Sequence, residues 1–240
     1  MGTESFATRW WNAIRPLPSE QIDDPALLAQ KRKQRILIRF TLAIVVLAGS
    51  GWYAFDYINR APERARAQFD RGMTLMGPKS YAAAIQAFDR AVSIWPQLPE
   101  AYLNRGVAYY QLGQPGRALE EFDQAAALDP TLTRAYDERG RIFLDQGDKK
   151  KAIDQFSKSL SIKPTADGYY ARGLAYESSG EHQKAIDDYD KAIVELTDAP
   201  YAYRARATAK ASLGDSDGAK ADRDKALQIE GPGAKVNASP

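Results

Sequence analysis

Two kinds of hydrophobic pattern divide the chain. Between Ile36 and Tyr57 the sequence ILIRFTLAIVVLAGSGWYAFDY is apolar almost without interruption, and a helix of that length is about enough to cross the roughly 30 Å hydrocarbon layer of a bilayer. From Ala65 onward the apolar residues come in spaced sets instead. Tyr102, Tyr136 and Tyr169 precede Tyr109, Phe143 and Tyr176 by seven residues, and Phe88, Phe122, Phe156 and Tyr189 recur further along each block. Such spacing marks one face of an amphipathic helix. The pattern predicts pairs of helices, with Gly113, Gly147, Gly180 and Gly214 at the tight turn inside a pair and Pro96, Pro130 and Pro164 ending the second helices.

The blocks repeat. YLNRGVAYYQLGQPGRALEEFDQAAALDP from Tyr102 aligns with YDERGRIFLDQGDKKKAIDQFSKSLSIKP from Tyr136 at an offset of 34 residues. Further copies begin near Ala65, Ala166 and Pro200, dividing the chain into 65–98, 99–132, 133–165, 166–199 and 200–233. Internal repetition at this period signals a solenoid, in which each unit buries its second apolar face on its neighbour. Gly72, Gly106, Gly140 and Gly173 fall inside the first helices, where each costs roughly 1 kcal/mol against alanine. Close helix contact offsets that cost, because Ala84, Ala118, Ala152, Ala185 and Ala219 keep one register of the second helix small.

Period and residue types together resemble the tetratricopeptide repeat, over about Ala65 to Gly233. The resemblance implies an all-α fold, a right-handed α-solenoid of helix–turn–helix units, preceded here by one transmembrane helix. It also implies a protein that binds other proteins and is not an enzyme. In the family the concave surface is lined by first helices, and the matching positions are Phe69, Met73, Met76, Leu103, Val107, Tyr110, Arg134, Arg141, Leu144, Tyr170 and Leu174. These are the candidate peptide groove. Family members that dock chaperone tails grip a carboxylate with lysine and asparagine; the aligned positions carry Phe69, Met73, Asn104, Arg134 and Glu138, of which only Asn104 and Arg134 fit. That mode is disfavoured.

The ends of the array depart from the pattern. Lys210, Lys220 and Arg223 replace apolar sites in the fifth copy, as suits a capping unit whose outer face meets water. The first copy has Gly77 and Pro78 where its turn should begin, and Gln68 at the first aromatic site. Residues 58–64 read as a short linker and 234–240 as a mobile tail.

Charge adds direction to the apolar stretch at 36–57. Lys31, Arg32, Lys33, Arg35 and Arg39 crowd its N-terminal side, against Arg60, Arg64 and Arg66 beyond the other end. This bias places the N-terminal segment 1–35 in the cytoplasm and the repeats across the membrane. Within 1–35, Phe6, Trp10 and Ile14 recur every four residues beside Arg9 and Arg15, a pattern that lies along a membrane surface. Gly49, Ser50, Gly51 and Ala54 make a small-residue patch of the kind that admits a transmembrane helix partner. The rival reading is a cleaved signal peptide with Ala48 and Ser50 at its processing site, but Glu20, Asp23, Asp24 and the Trp10–Trp11 pair make a poor leading region.

Chemistry is sparse. Cysteine is absent, which excludes disulfides and thiolate catalysis, and the sole histidine, His182, has no partner for a metal cluster or an acid–base pair. A formal net charge of +2 gives no general nucleic-acid footprint. No cofactor and no small-molecule substrate are expected. One polar element does recur: Arg71, Arg105, Arg139, Arg172 and Arg206 stand at one register, and an acid follows eighteen residues later at Asp89, Asp123, Asp190 and Asp224, with Ser157 as the exception. This predicts a structural ladder of charge-assisted hydrogen bonds between helices.

Taken together, the expected protein is a membrane-anchored scaffold or adaptor that binds protein or peptide partners close to the bilayer, in a bacterial inner membrane with a periplasmic repeat domain. Two alternatives stay open: a structural subunit of a larger membrane complex, and an import-receptor-like anchor on an organelle with cytosolic repeats.

Overall fold

In the computed structural model the described residues are 59–231, together with Lys33 and Gly49, and the repeating blocks fold as ten helices. These are α1 (Ala61–Met76), α2 (Tyr81–Ile94), α3 (Pro99–Gln111), α4 (Pro115–Leu128), α5 (Thr133–Asp145), α6 (Lys149–Ile162), α7 (Ala166–Ser178), α8 (His182–Glu195), α9 (Pro200–Ser212) and α10 (Ser216–Glu230). The described residues from 62 onward form one compact unit. Apart from Lys33 and Gly49, the segment 1–35, the expected span 36–57 and the tail 234–240 lie outside the described residues. Among the described residues no helix is long and apolar enough to cross a membrane. The expected linker 58–64 is shorter than its sequence implied, since α1 already begins at Ala61. Pro62 falls in the first turn, where its missing N–H has no intrahelical partner to lose.

The helices start and stop for local reasons. Pro99, Pro115 and Pro200 open α3, α4 and α9, while Asp148, Thr165 and Asp215 accept backbone N–H bonds from the first turns of α6, α7 and α10. Inside each pair the turn is the same. Gln114 N donates to Tyr109 O, Asp148 N to Phe143 O, Glu181 N to Tyr176 O and Asp215 N to Lys210 O, each across a residue with positive φ: Gly113, Gly147, Gly180 and Gly214. In the first pair the same bond runs from Ser80 N to Leu75 O, but the residue with positive φ, 59°, is Lys79 and not the nearby Gly77.

Each pair packs on the next, and the first helices also touch directly, α3 with α5, α5 with α7 and α7 with α9. The rings of Phe88, Phe122, Phe156 and Tyr189 are fully buried, and so are the five alanines of the small register, from Ala84 to Ala219. Burying a ring of this size contributes on the order of 3 kcal/mol. Every one of these rings lies over a first-helix glycine. A Cβ added at Gly106, Gly140 or Gly173 would stand 2.6, 2.6 or 2.5 Å from the ring sixteen residues on, and one added at Gly72 would meet the Phe88 ring in the same way. In the fifth pair Ala207 replaces the glycine and Arg223 the ring, so the small residue and the large one change together.

The first-helix aromatics lie less deep than the second-helix rings. Tyr102, Tyr109, Tyr136, Phe143, Tyr169 and Tyr176 are half-buried. Their rings cover the core from outside and receive cations: Arg105 lies 5.3 Å above Tyr102, Arg117 5.3 Å above Tyr109 and Lys151 5.3 Å above Phe143.

Candidate functional site

The recurrent arginine is the joint of the stack, and its pairing is not the one the spacing implied. The acid eighteen residues on belongs to the arginine of the following pair: Asp89 bonds Arg105 at 2.7 Å, Asp123 bonds Arg139 at 3.0 Å and Asp190 bonds Arg206 at 2.5 Å. Within their own pairs Arg105, Arg172 and Arg206 take an acid sixteen residues on. Arg105 holds Glu121 at 2.8 Å, Arg172 holds Asp188 at 2.7 and 2.8 Å, and Arg206 holds Asp222 at 2.6 and 2.8 Å. The two acids are separated by two residues, or about 200° around the second helix, so one faces inward and the other faces the next pair. A single guanidinium therefore clamps three helices.

Departures from the ladder are equally regular. Ser157 takes the place of the outward acid and meets Arg172 Nη1 at 3.2 Å. Arg71 has Ala87 where the inward acid would be, and is exposed with no ion pair among the described residues. Asp224 meets Lys220, at 3.4 Å, and no arginine among the described residues. Lys210, expected to face water, instead reaches Asp222 at 2.9 Å. At the third pair Gln155 replaces the inward acid, and both Gln155 Oε1 and Arg139 Nε are buried without hydrogen-bond partners. Gln155→Glu is expected to complete the clamp and raise stability by about 1 kcal/mol. A urea midpoint that stays put or falls would contradict it.

Burial pushes the Asp222 carboxyl up, yet Arg206 and Lys210 outweigh burial and hold it below the usual carboxylate range. A lowered folded-state pKa means stability that is present above about pH 4 and lost as pH falls through the folded value. Asp222→Asn should therefore destabilise at neutral pH, with the gap to the parent closing in acid. A gap that widens in acid would reverse the assignment. At the same inward register burial dominates for Glu121, whose carboxyl is raised despite Arg105.

Above this ladder the first helices α5, α7 and α9 enclose two adjoining hollows, each of about 520 Å³. Tyr170, Leu174 and Tyr201 line both. Arg141, Leu144 and Asp167 extend the wall on one side, Glu177 and Arg204 on the other. The rings of Tyr170 and Tyr201 meet edge to face, with centroids 4.7 Å apart, and Tyr170 packs down on the buried Tyr189 ring at 5.8 Å. Beneath, Asp137 occupies the register of buried Leu103. One of its oxygens is paired with Ser159 and the other is buried without a partner, and burial pushes its carboxyl up.

Of the groove residues expected from sequence, the structure brings Arg141, Leu144, Tyr170 and Leu174 together. Phe69 and Leu103 do not belong to the groove; they are buried core residues, Phe69 stacked on Phe88 at 5.7 Å and Leu103 packed with Ala118 and Phe122. They share the Tyr170 register, but only the longer phenol reaches past the core to the open side. Met76 and Val107 are half-buried against the same clusters, and Met73 is exposed. Tyr110 is half-buried with its hydroxyl bonded to Asp145, which holds that hydroxyl up at about 12. Arg134 faces solvent beside Glu138 at 3.7 Å. Asn104 is buried and donates to Glu100 O of its own helix, so its amide is withdrawn from the surface where a carboxylate would be gripped. His182 is half-buried at the start of α8, its Nδ1 without a hydrogen-bond partner.

Sequence reasoning missed Asp167, Glu177, Tyr201 and Arg204. Tyr201 and Asp167 share the register of Arg134, and Arg204 shares that of Tyr170, so carrying those registers through the fourth and fifth copies would have found three of the four. Treating the fifth copy only as a cap hid Tyr201 and Arg204.

A stack of paired helices with this turn, this glycine–ring contact and a first-helix concavity defines a class of repeat protein, and comparison with known proteins agrees. Models of the tetratricopeptide repeat match residues 74–135, 133–165 and 166–194. The chain belongs to the tetratricopeptide repeat family. It is similar to a solved structure of MamA, 31% identical with a TM-score of 0.62, over 70% of this chain and 92% of that one. A thermophilic tetratricopeptide protein of Thermus thermophilus is 26% identical with a TM-score of 0.55, over 69% of this chain and 91% of that one. MamA of Desulfovibrio magneticus, 21% identical, shares the fold with a TM-score of 0.64 over 70% of this chain and 95% of that one. No curated protein sequence matches the chain.

Proposed function

We propose that this protein is an adaptor that holds a segment of a partner protein in the groove of α5, α7 and α9. The observation that carries this reading is the half-buried surface of Tyr170, Leu174 and Tyr201, rimmed by charge and open to solvent. Aromatic side chains of this kind present a large contact area at little entropic cost and act as anchors for peptides. The arginine clamps keep α7 and α9 in register, so the groove is formed before the partner arrives and little ordering cost falls on binding. The apolar run at 36–57 supports anchoring in a bacterial inner membrane, with its N-terminal cations on the cytoplasmic side and the repeats in the periplasm.

A photoreactive residue at Leu174 tests the groove, with one at the exposed Val194 of α8 as the control. Discrete crosslinked partners from position 174 and none from 194 are the expected result. The same adducts from both positions would remove the groove from the mechanism. Protease treatment of intact spheroplasts tests topology: digestion of the repeats only after the outer envelope is opened supports the periplasmic side.

A further inference from the structure

The groove is not electrically neutral, and its own tyrosines fix where its charge lies. Tyr201 donates its hydroxyl to Asp167 Oδ1 at 3.3 Å, and Tyr189 donates to Glu177 Oε2 at 2.7 Å. Each carboxylate thus has one oxygen oriented by a phenol and a second without a hydrogen bond among the described residues. Neither acid has an ion-pair partner among the described residues. The two stand in different hollows, Asp167 beside Leu144 and Glu177 beside Ala205, with Tyr170, Leu174 and Tyr201 shared between them. Of the two cations on the rim, Arg204 is already engaged by Glu230 at 2.5 Å, and Arg141 has no ion pair among the described residues. Two unpaired carboxylates against one unpaired cation leave the groove negative.

We propose, building on the groove reading above, that the occupant is a basic segment of the partner: two lysine or arginine side chains four residues apart in an extended strand, about 13 Å, with an apolar residue midway between them on the same face. One cation meets Asp167, the other meets Glu177, and the apolar residue lies on Leu174. The faces of Tyr170 and Tyr201 flank both charges, and a cation over a phenol ring gains from the ring quadrupole. Preorientation by the tyrosine hydroxyls means the carboxylates need not be ordered when the cation arrives. An acidic segment would set its charge against two unpaired carboxylates, which selects against it. The second oxygens are acceptors only, so an uncharged segment leaves them to water.

The test uses the full chain in a neutral detergent and two dye-labelled peptides, one repeating Lys-Ser-Leu-Ser and one repeating Glu-Ser-Leu-Ser, which set the charges and leucines on one face of a strand. Fluorescence anisotropy should give the lysine peptide an affinity at least about tenfold above that of the glutamate peptide, weakening with added salt. The Asp167→Asn/Glu177→Gln variant keeps both tyrosine acceptors and should lose that preference with an unchanged melting temperature. Equal affinities, or a preference that survives in the variant, would overturn the proposal. The photoreactive residue at Leu174 separates the two levels of inference. If it captures the glutamate peptide but not the lysine peptide, the groove stands and its charge selectivity falls. If it captures neither, both fall.

Discussion

Replacing Arg172 with leucine is expected to cost about 3 kcal/mol, because breaking a buried ion pair from one side leaves the other charge uncompensated. Asp188 is that charge: its side chain is 3% exposed and takes two hydrogen bonds from the guanidinium, at 2.7 and 2.8 Å. Lys191 Nζ stays within 3.5 Å and keeps the loss at the lower end of the range for such pairs. The same change also removes the bond to Ser157 and the cation above Tyr169 and Tyr176. Removing both partners, as in Arg172→Leu/Asp188→Leu, should recover most of the loss, since the cost lies in the unpaired carboxylate rather than in the missing pair. Urea denaturation of the parent and the two variants checks this. A single variant as stable as the parent would mean that Asp188 is hydrated in solution.

Gly140→Ala is expected to lower stability by about 2 kcal/mol, although alanine is intrinsically the better helix former by about 1 kcal/mol. The reason is steric. The new Cβ would lie 2.6 Å from Phe156 Cε1, and the ring is fully buried with no room to retreat. Phe156→Leu in the same chain should return part of the loss by thinning the ring face. The fifth pair supplies the internal control. Ala207 there stands opposite Arg223 instead of a ring and its methyl is buried, so Ala207→Gly should cost the helix preference of about 1 kcal/mol plus the lost burial of one methyl, about 0.8 kcal/mol. A stabilised Gly140→Ala protein would show that the helices do not approach as closely as the contact requires.

The fold was legible because its constraints are local and repeated. A turn that needs positive φ selects glycine at Gly113, Gly147, Gly180 and Gly214, and a ring in every second helix selects glycine at the facing position. Five copies make such choices visible without any comparison outside the chain. Pairing between neighbours was less legible. The acids at Asp89, Asp123 and Asp190 stand eighteen residues after one arginine and sixteen before the next, so spacing alone does not choose, and only the 200° turn between inward and outward positions shows which one each meets. Lys79 was invisible for another reason. Gly77 and Pro78 carry the usual turn composition, but the bond from Ser80 N to Leu75 O fixes the left-handed residue two positions later.

The groove was half legible. Its members alternate with core residues at the same register, so Phe69 and Leu103 look identical in sequence to Tyr170, and only the packing depth of each pair separates them. Tyr201 stands in the fifth copy, where Lys220 and Arg223 do face water as a cap should, while its first helix still completes the wall with Tyr170. The functional surface thus depends on how well the last pair is held against the one before it.

A double-mutant cycle between Asp190 and Arg206 measures that hold directly, because Asp190 belongs to α8 and Arg206 to α9 and their contact crosses from the fourth pair to the fifth. With Asp190→Ala, Arg206→Ala and the double variant, a coupling of about 1 kcal/mol is expected, reduced by salt because Asp190 is half exposed. Additive losses with no coupling would mean that the two pairs do not meet through this arginine, and that the wall joining Tyr170 to Tyr201 is not fixed by the ladder.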